Sequence, residues 1–508
     1  MSQQFTVAPI FSDHMVLQRD KEIRVWGEGK DNEVVTVSLV GNILETVVKD
    51  NRWMVNLPSL KAGGPINLTI TCGDQKIEFA DILIGDVWLA GGQSNMELEL
   101  QNSKDGKEAL NNANHSNIRI YNALRQSFLD EKSIEAEKNN MWQVCSSETA
   151  GTMSAVGYYF AKELKDELDV PIGIIGCNWG GTSATAWISH ETLEIDKDSN
   201  QYILNYEDEM KKYESVEDYE KDRAQNVIDY DKWRTIADRL YEERPDILWD
   251  EVLEIAGDCP WPEPMGPKSP FRPAGLYETM LKRIIPLSLK GFIYYQGESD
   301  DNNPTKYGKL LTMLIEQWRR DFKDYELPFL FVQLPMFISR GDIDKKHWAI
   351  LREQQMQVHK TIKNTGLAVA LDLGEFNNIH PLDKESVGHR LALQALYHVY
   401  GNDMDPYGPL YKSMTVHNNE IILTFDHVED GFVLVGDEVN GFEIAGEDQV
   451  FYQGNGKIHY DKIIVHSDEV KYPRYVRYQW TNWDKVSLFN QKGLPLAPFR
   501  TDEFLRYE

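Results

Sequence analysis

Apolar and polar positions follow three different rhythms along the chain. Over residues 6 to about 84, short runs of strand composition recur: Ile23-Arg24-Val25-Trp26, Val34 to Leu39 and Ile66 to Ile70. Turn clusters separate them at Gly27 to Asn32 and at Ala62-Gly63-Gly64-Pro65, a spacing that predicts a small N-terminal β-sandwich domain over 1–84. From about 85 to 402 the rhythm changes. Compact apolar runs at Val87–Ala90, Gly173–Gly176, Gly291–Tyr295, Pro328–Gln333 and Leu367–Leu371 alternate with helical stretches such as Tyr158–Leu168 and Tyr307–Phe322. Strands alternating with helices predict an α/β domain built on a parallel sheet, with ligands gathered at the carboxyl ends of its strands. From about 403 to 508 the composition is again β, as in Glu420–Phe425 and Gly431–Val435, and predicts a C-terminal β domain.

Residues 192 to about 258 break the α/β rhythm. They are helical in composition and carry acidic clusters, Glu207-Asp208-Glu209 and Glu217-Asp218-Tyr219-Glu220. Charge runs favour a solvated helical decoration over a lid or a dimer surface. The Pro-rich loop Cys259 to Pro264 then returns the chain to the main domain.

Charge narrows the partners. A formal net charge of −28 disfavours nucleic acid and anionic membrane surfaces. No apolar run approaches the roughly 18 residues of a membrane span. Cys72, Cys145, Cys177 and Cys259 are widely separated, with no metal-ligand spacing, so neither a zinc site nor a disulfide scaffold is expected. Met1-Ser2-Gln3-Gln4-Phe5 lacks a basic region followed by an apolar one. The expectation is a cytoplasmic protein, or else a secreted or periplasmic mature form with an added Met. Homo-oligomerisation is left open.

Four strand-end segments carry candidate chemistry. Gly91-Gly92-Gln93-Ser94-Asn95-Met96-Glu97 places a serine where a strand turns into a helix, and N–H groups at such a turn can stabilise an anion. The same string also fits a capping box, in which Ser94 only caps a helix. Asn178-Trp179-Gly180-Gly181-Thr182-Ser183 follows the second strand, and its glycines allow backbone N–H groups to approach a ligand closely, although an ordinary glycine turn reads the same way. Gln296-Gly297-Glu298-Ser299 offers an amide donor for a developing oxyanion, or else a polar turn. Asn377-Asn378-Ile379-His380-Pro381 supplies a histidine for general-base work, or a structural one.

Taken in order, these segments resemble the SGNH hydrolases, and within them the sialate O-acetylesterase-like carbohydrate esterases. The resemblance extends to Phe11 to Arg19, Gly275-Leu276-Tyr277, Val387 to Ala392 and Gly493 to Arg500, so it covers nearly the whole chain apart from the helical insertion. It implies a flavodoxin-like parallel sheet flanked by the two β domains. It also implies Ser94 as nucleophile and His380 as base. The oxyanion hole it implies is formed by the Ser94 N–H, Gly180 (with Gly181 as the alternative) and Gln296. One position departs from the family pattern: an Asp commonly precedes Ile-His-Pro, and here Asn378 stands there. The wider superfamily's acid position, three residues before the histidine, is Asn377. Asn378 can orient the ring without supplying charge; Glu298, Asp372 and Glu375 are the nearest substitute acids.

The implied activity is hydrolysis of acetyl esters on sugars, with an acetylated mono- or oligosaccharide as substrate and no metal or organic cofactor. Sialic acid and plant-polysaccharide acetates are the candidate substrates. Two alternatives remain. One is a lipid esterase or thioesterase of the same fold. The other is a carbohydrate-binding protein whose catalysis has weakened at Asn378.

Overall fold

The computed structural model describes residues 5–244 and 247–504. Its spine is one long strand, β1 (Gln75–Gly92). In its first part half-buried and exposed residues alternate, and from Ile82 onward every residue is buried. The pattern changes because the surroundings change. The first part pairs antiparallel with Gly63–Cys72. Farther along, Leu83–Gly85 lies beside the parallel strand Val16–Gln18. The last part runs inside a parallel sheet covered by helices on both faces, the setting in which strands become continuously apolar.

Five further strands complete the parallel part: β2 (His115–Asn122), β3 (Ile172–Asn178), β4 (Gly291–Tyr295), β5 (Phe329–Gln333) and β6 (Thr365–Val369). Their order across the sheet is β2–β3–β1–β4–β5–β6, with the antiparallel strand Gln143–Cys145 at the β2 edge. Together with the N-terminal strands this makes one mixed, 11-stranded sheet. The two faces can be told apart at β1. Trp88 meets Phe160 of the helix Ala155–Leu168, with ring centroids 5.1 Å apart. Three residues on, and so on the opposite face, Gly91 lies against Trp318 of the helix Tyr307–Asp321. The helix Lys384–His398 packs beside Ala155–Leu168.

The strand β1 runs unbroken across the 84/85 position at which the sequence pattern changes. Thr6–Val7, Ile23–Glu28 and Arg52–Leu57 form a separate three-stranded sheet, and its buried residues belong to the same hydrophobic core as the parallel sheet. The C-terminal strands differ. They form two antiparallel four-stranded sheets and a two-stranded ribbon around a separate core that includes Ile421, Leu423, Phe442, Ile444, Val465 and Tyr478. This unit docks through polar and apolar contacts: Arg500 forms a two-point ion pair with Glu353 at 2.7 and 2.9 Å, Phe337 N–H donates to the Asn482 carbonyl at 2.9 Å, and Trp480 is buried with Ala349 and Ile350. The segment after residue 192 is helical, led by Val216–Glu243. All four cysteines are free thiols. Among the described residues no helix is long and apolar enough to cross a membrane.

Candidate active site

Strand order fixes where a site can form. The segments after β3 and β4 emerge on either side of β1, leaving a crevice at its carboxyl end, the usual ligand position in open α/β sheets. Ser94 follows β1, Gly180 follows β3 and Gln296 follows β4. The turn carrying Ser94 demands glycine. Gly92 has φ +136°, and a Cβ there would lie 2.1 Å from the Tyr295 carbonyl oxygen. Gln93 N–H bonds that same carbonyl at 3.0 Å, and the four-residue helix Ser94–Glu97 begins at once. As the first helical residue, Ser94 has an amide N–H without an intrahelical acceptor, and it donates to no group among the described residues.

The Ser94 hydroxyl does not cap this helix. Its Oγ lies 2.8 Å from Nε2 of His380. The His380 loop is braced by side chains. The His380 backbone N–H donates to Asn378 Oδ1 at 3.0 Å, Asn378 Nδ2 donates to Glu375 Oε2 at 2.8 Å, and Glu375 Oε1 accepts the Leu382 N–H at 2.7 Å. Asn378 therefore orients the backbone of the histidine, and among the described residues no carboxylate bonds the ring. The three candidate acids are engaged elsewhere. Asp372 is forked by Arg390 at 2.6 and 2.8 Å, Glu375 holds the loop, and Glu298 accepts from Asn95 at 2.6 Å. Although the residue as a whole is exposed, desolvation of the ring by its surroundings holds the His380 pKa below its usual value, and the Lys384 ammonium adds to the effect.

Gly180 abuts the nucleophile: a Cβ there would lie 3.2 Å from Ser94 Cβ. Its N–H donates to Glu97 Oε2, and the other Glu97 oxygen pairs with the exposed Arg125. Gly181 has φ +74° and lies against Trp261 and Phe271. The Gln296 amide bonds to groups within the protein. Its side chain is buried, and Nε2 lies within hydrogen-bond distance of Asp300 Oδ2 (2.6 Å), the Thr182 carbonyl (3.1 Å) and Gln93 Oε1 (3.2 Å). Asp300 also accepts from the Ser183 hydroxyl at 2.6 Å and the Ala184 N–H at 3.0 Å. Gln296 thus ties together the loops that follow β3 and β4.

A second buried network joins the two halves of the site. Asn95 Nδ2 donates to Glu298 Oε1 at 2.6 Å and to the carbonyl of Ile379, the residue before His380, at 2.9 Å. Its Oδ1 accepts from the buried Lys384 Nζ at 2.6 Å. Burial pulls the Lys384 pKa down to about 8 and pushes that of Glu298 up. Sequence reasoning missed Asn95 and Lys384. The only available signals were the adjacency of Asn95 to the serine, and a lysine opening a helix where acids are favoured.

Comparisons with known proteins identify the family. A family model described as carbohydrate esterase, sialic acid-specific acetylesterase, matches residues 84–220 and 267–397. A mouse sialate O-acetylesterase is 29% identical over 465 residues, covering 83% of this chain and 79% of that protein. The human sialate O-acetylesterase is 28% identical over 459 residues, covering 83% and 76% respectively. The crystal structure of a carbohydrate acetylesterase from Xanthomonas citri superposes with a TM-score of 0.78 at 31% identity, covering 98% of this chain and 100% of that one. The chain belongs to the sialic acid-specific acetylesterase family of carbohydrate esterases.

Proposed function

We propose that the protein removes acetyl groups from a sugar through an acetyl-enzyme on Ser94. His380 Nε2 takes the hydroxyl proton as Ser94 Oγ attacks the acetyl carbonyl. The carbonyl oxygen becomes an oxyanion held by the Ser94 N–H and by the Gly180 N–H, which exchanges Glu97 Oε2 for the oxyanion. The tetrahedral adduct collapses, the sugar oxygen leaves with the proton from Nε2, and acetate stays esterified to Ser94. Water then attacks with His380 again as base, and acetate departs. Gln296 supports the donor loops through its bonds to the Thr182 carbonyl and to Asp300. The parallel strand order supports an SGNH-type sheet, with N-terminal β strands continuous with it and a C-terminal β unit beside it.

The observation that carries this reading is the 2.8 Å contact between a serine hydroxyl and an imidazole from segments 286 residues apart. Acetate release from 4-nitrophenyl acetate and from acetylated sugars tests it, with Ser94→Ala as the blank. A weakened, sugar-binding protein is the second reading, favoured by the lack of a carboxylate on the His380 ring. Parent and Ser94→Ala releasing acetate at the same background rate would select it. Sialic acid acetates and plant-polysaccharide acetates are the substrates to screen.

A further inference from the structure

Trp261 belongs to the loop that closes the helical insertion, outside the two segments that match the family. Its surroundings make it a fixed surface. Asn226 Nδ2, on the helix Val216–Glu243, donates to the Pro260 carbonyl at 2.8 Å. Trp233 Nε1, from the same helix, donates to the Gly257 carbonyl at 2.9 Å, and Arg223 pairs with Glu263 at 2.9 Å. The indole is held edge-on by Phe271, with centroids 5.2 Å apart and planes at 87°, and lies tilted against Tyr230 at 6.0 Å. Even so, 52% of the residue is open to solvent.

Position gives this exposure a purpose. A Cβ on Gly181 would lie 3.2 Å from Trp261 Cζ2, and a Cβ on the preceding Gly180 would lie 3.2 Å from Ser94 Cβ. The indole therefore adjoins the second residue of a glycine pair whose first residue adjoins the nucleophile. On the histidine side, Phe376 is 45% exposed and packs edge-on against Trp483 of the C-terminal unit, with centroids 5.5 Å apart. An exposed aromatic surface that is already ordered gains by covering apolar area and loses little side-chain freedom on binding. The C–H face of a pyranose ring is such a partner, because its hydroxyls stay at the rim in water while its carbons cover the ring.

We infer that Trp261 is a sugar-binding, specificity-determining residue that stacks on the pyranose carrying, or next to, the acetyl ester. The helix Val216–Glu243 is then its support: most of its charged positions are exposed, while Asn226, Arg223 and Trp233 hold the loop. For its substrate this inference rests on the esterase reading above.

The test compares the parent with Trp261→Ala and Trp261→Phe on acetylated xylo-oligosaccharides and on 4-nitrophenyl acetate, after thermal melts have established that each variant folds. Trp261→Ala should lower kcat/KM for the oligosaccharide at least tenfold more than for 4-nitrophenyl acetate, chiefly through KM, and Trp261→Phe should recover much of the loss. Equal losses on both substrates, or none, would overturn the inference. Calorimetry with deacetylated xylo-oligosaccharide separates this inference from the esterase reading. Binding at least fivefold weaker in Trp261→Ala would support the platform even if no variant released acetate. Identical binding, or none to the parent, would remove it. If both variants melt far below the parent, the ring is structural and the inference falls.

Discussion

The two halves of the site are built in different ways. The serine half is the end of a strand. Backbone hydrogen bonds run along β1 to both neighbours up to Gly92, and Gly92 itself is wedged against Tyr295. That arrangement rests on backbone pairing and on the absence of a side chain at Gly92. The histidine half is a loop, held by Asn378 and Glu375 on the inside and by the Asn95 amide from across the site. The position of the nucleophile is thus a property of the sheet, whereas the position of the base depends on three polar side chains. Substitutions on the serine half should act on chemistry while leaving the fold intact. Those on the histidine half should mix loop order, charge and rate.

The largest effect tests the serine half directly. Ser94→Ala should leave the melting curve unchanged and lower acetate release on the order of 10⁴-fold or more. A residual rate near the parent's would mean that another group performs the attack. Gly180→Ala comes next. The new methyl would press on Ser94 Cβ and shift a proposed oxyanion donor, so kcat should fall by about 10²-fold. Retention of full activity would remove the Gly180 N–H from the oxyanion role.

Asn95→Ala joins the two halves in one experiment. It leaves Lys384 Nζ and Glu298 Oε1 in the interior without their shared partner and frees the Ile379 carbonyl. Urea titration should show a loss on the order of 2–4 kcal/mol, accompanied by a fall in kcat. Stability lost with kcat intact would mean that the histidine loop holds itself.

Asn378→Asp sharpens the contrast further. The new carboxylate would face Glu375 where the amide now donates, so the loop should loosen and turnover at neutral pH should fall. A nearby negative charge favours imidazolium, so the acid limb of the pH profile should also move up, by about half to one pH unit. A rise in turnover would show instead that the added charge reaches the ring. The smallest effect is in the parent's own profile. The base must be neutral to act. Because desolvation and Lys384 hold the His380 pKa down, kcat/KM should persist on acidification to a pH below the usual imidazole value of about 6.5. An acid limb above that value would contradict the desolvated histidine.

Legibility in the sequence follows the same division. The run Val87–Ala90 and the two glycines after it are local signals, and they lead straight to the turn at Ser94. The helix expected over Tyr158–Leu168 is Ala155–Leu168, and the strand expected over Gly291–Tyr295 has those bounds. His380 stands out as a histidine shortly after the Leu367–Leu371 run, but only the family resemblance favours base over structural histidine, because a loop histidine carries no periodic signal. The direction of the Gln296 amide is not legible: it depends on Asp300 and on Thr182, from a loop more than a hundred residues away in the chain. The change of pattern near residue 84 is visible, but it marks helices arriving on both faces of β1 rather than the end of a strand. The insertion's acidic clusters hide Trp261, since a charged exterior gives no hint of what the other side of a helix holds.

That long strand behaves as a cantilever. Its root is clamped in the N-terminal layers and its tip bears the reactive hydroxyl. Trimming the chain back to residue 85 would saw through the beam, remove the strands Val16–Gln18 and Gly63–Cys72 that flank its root, and leave the tip unanchored. The C-terminal unit, which brings its own core, is joined more like a bolted fitting. Transplanting modules between relatives should therefore succeed at that end and fail at the other.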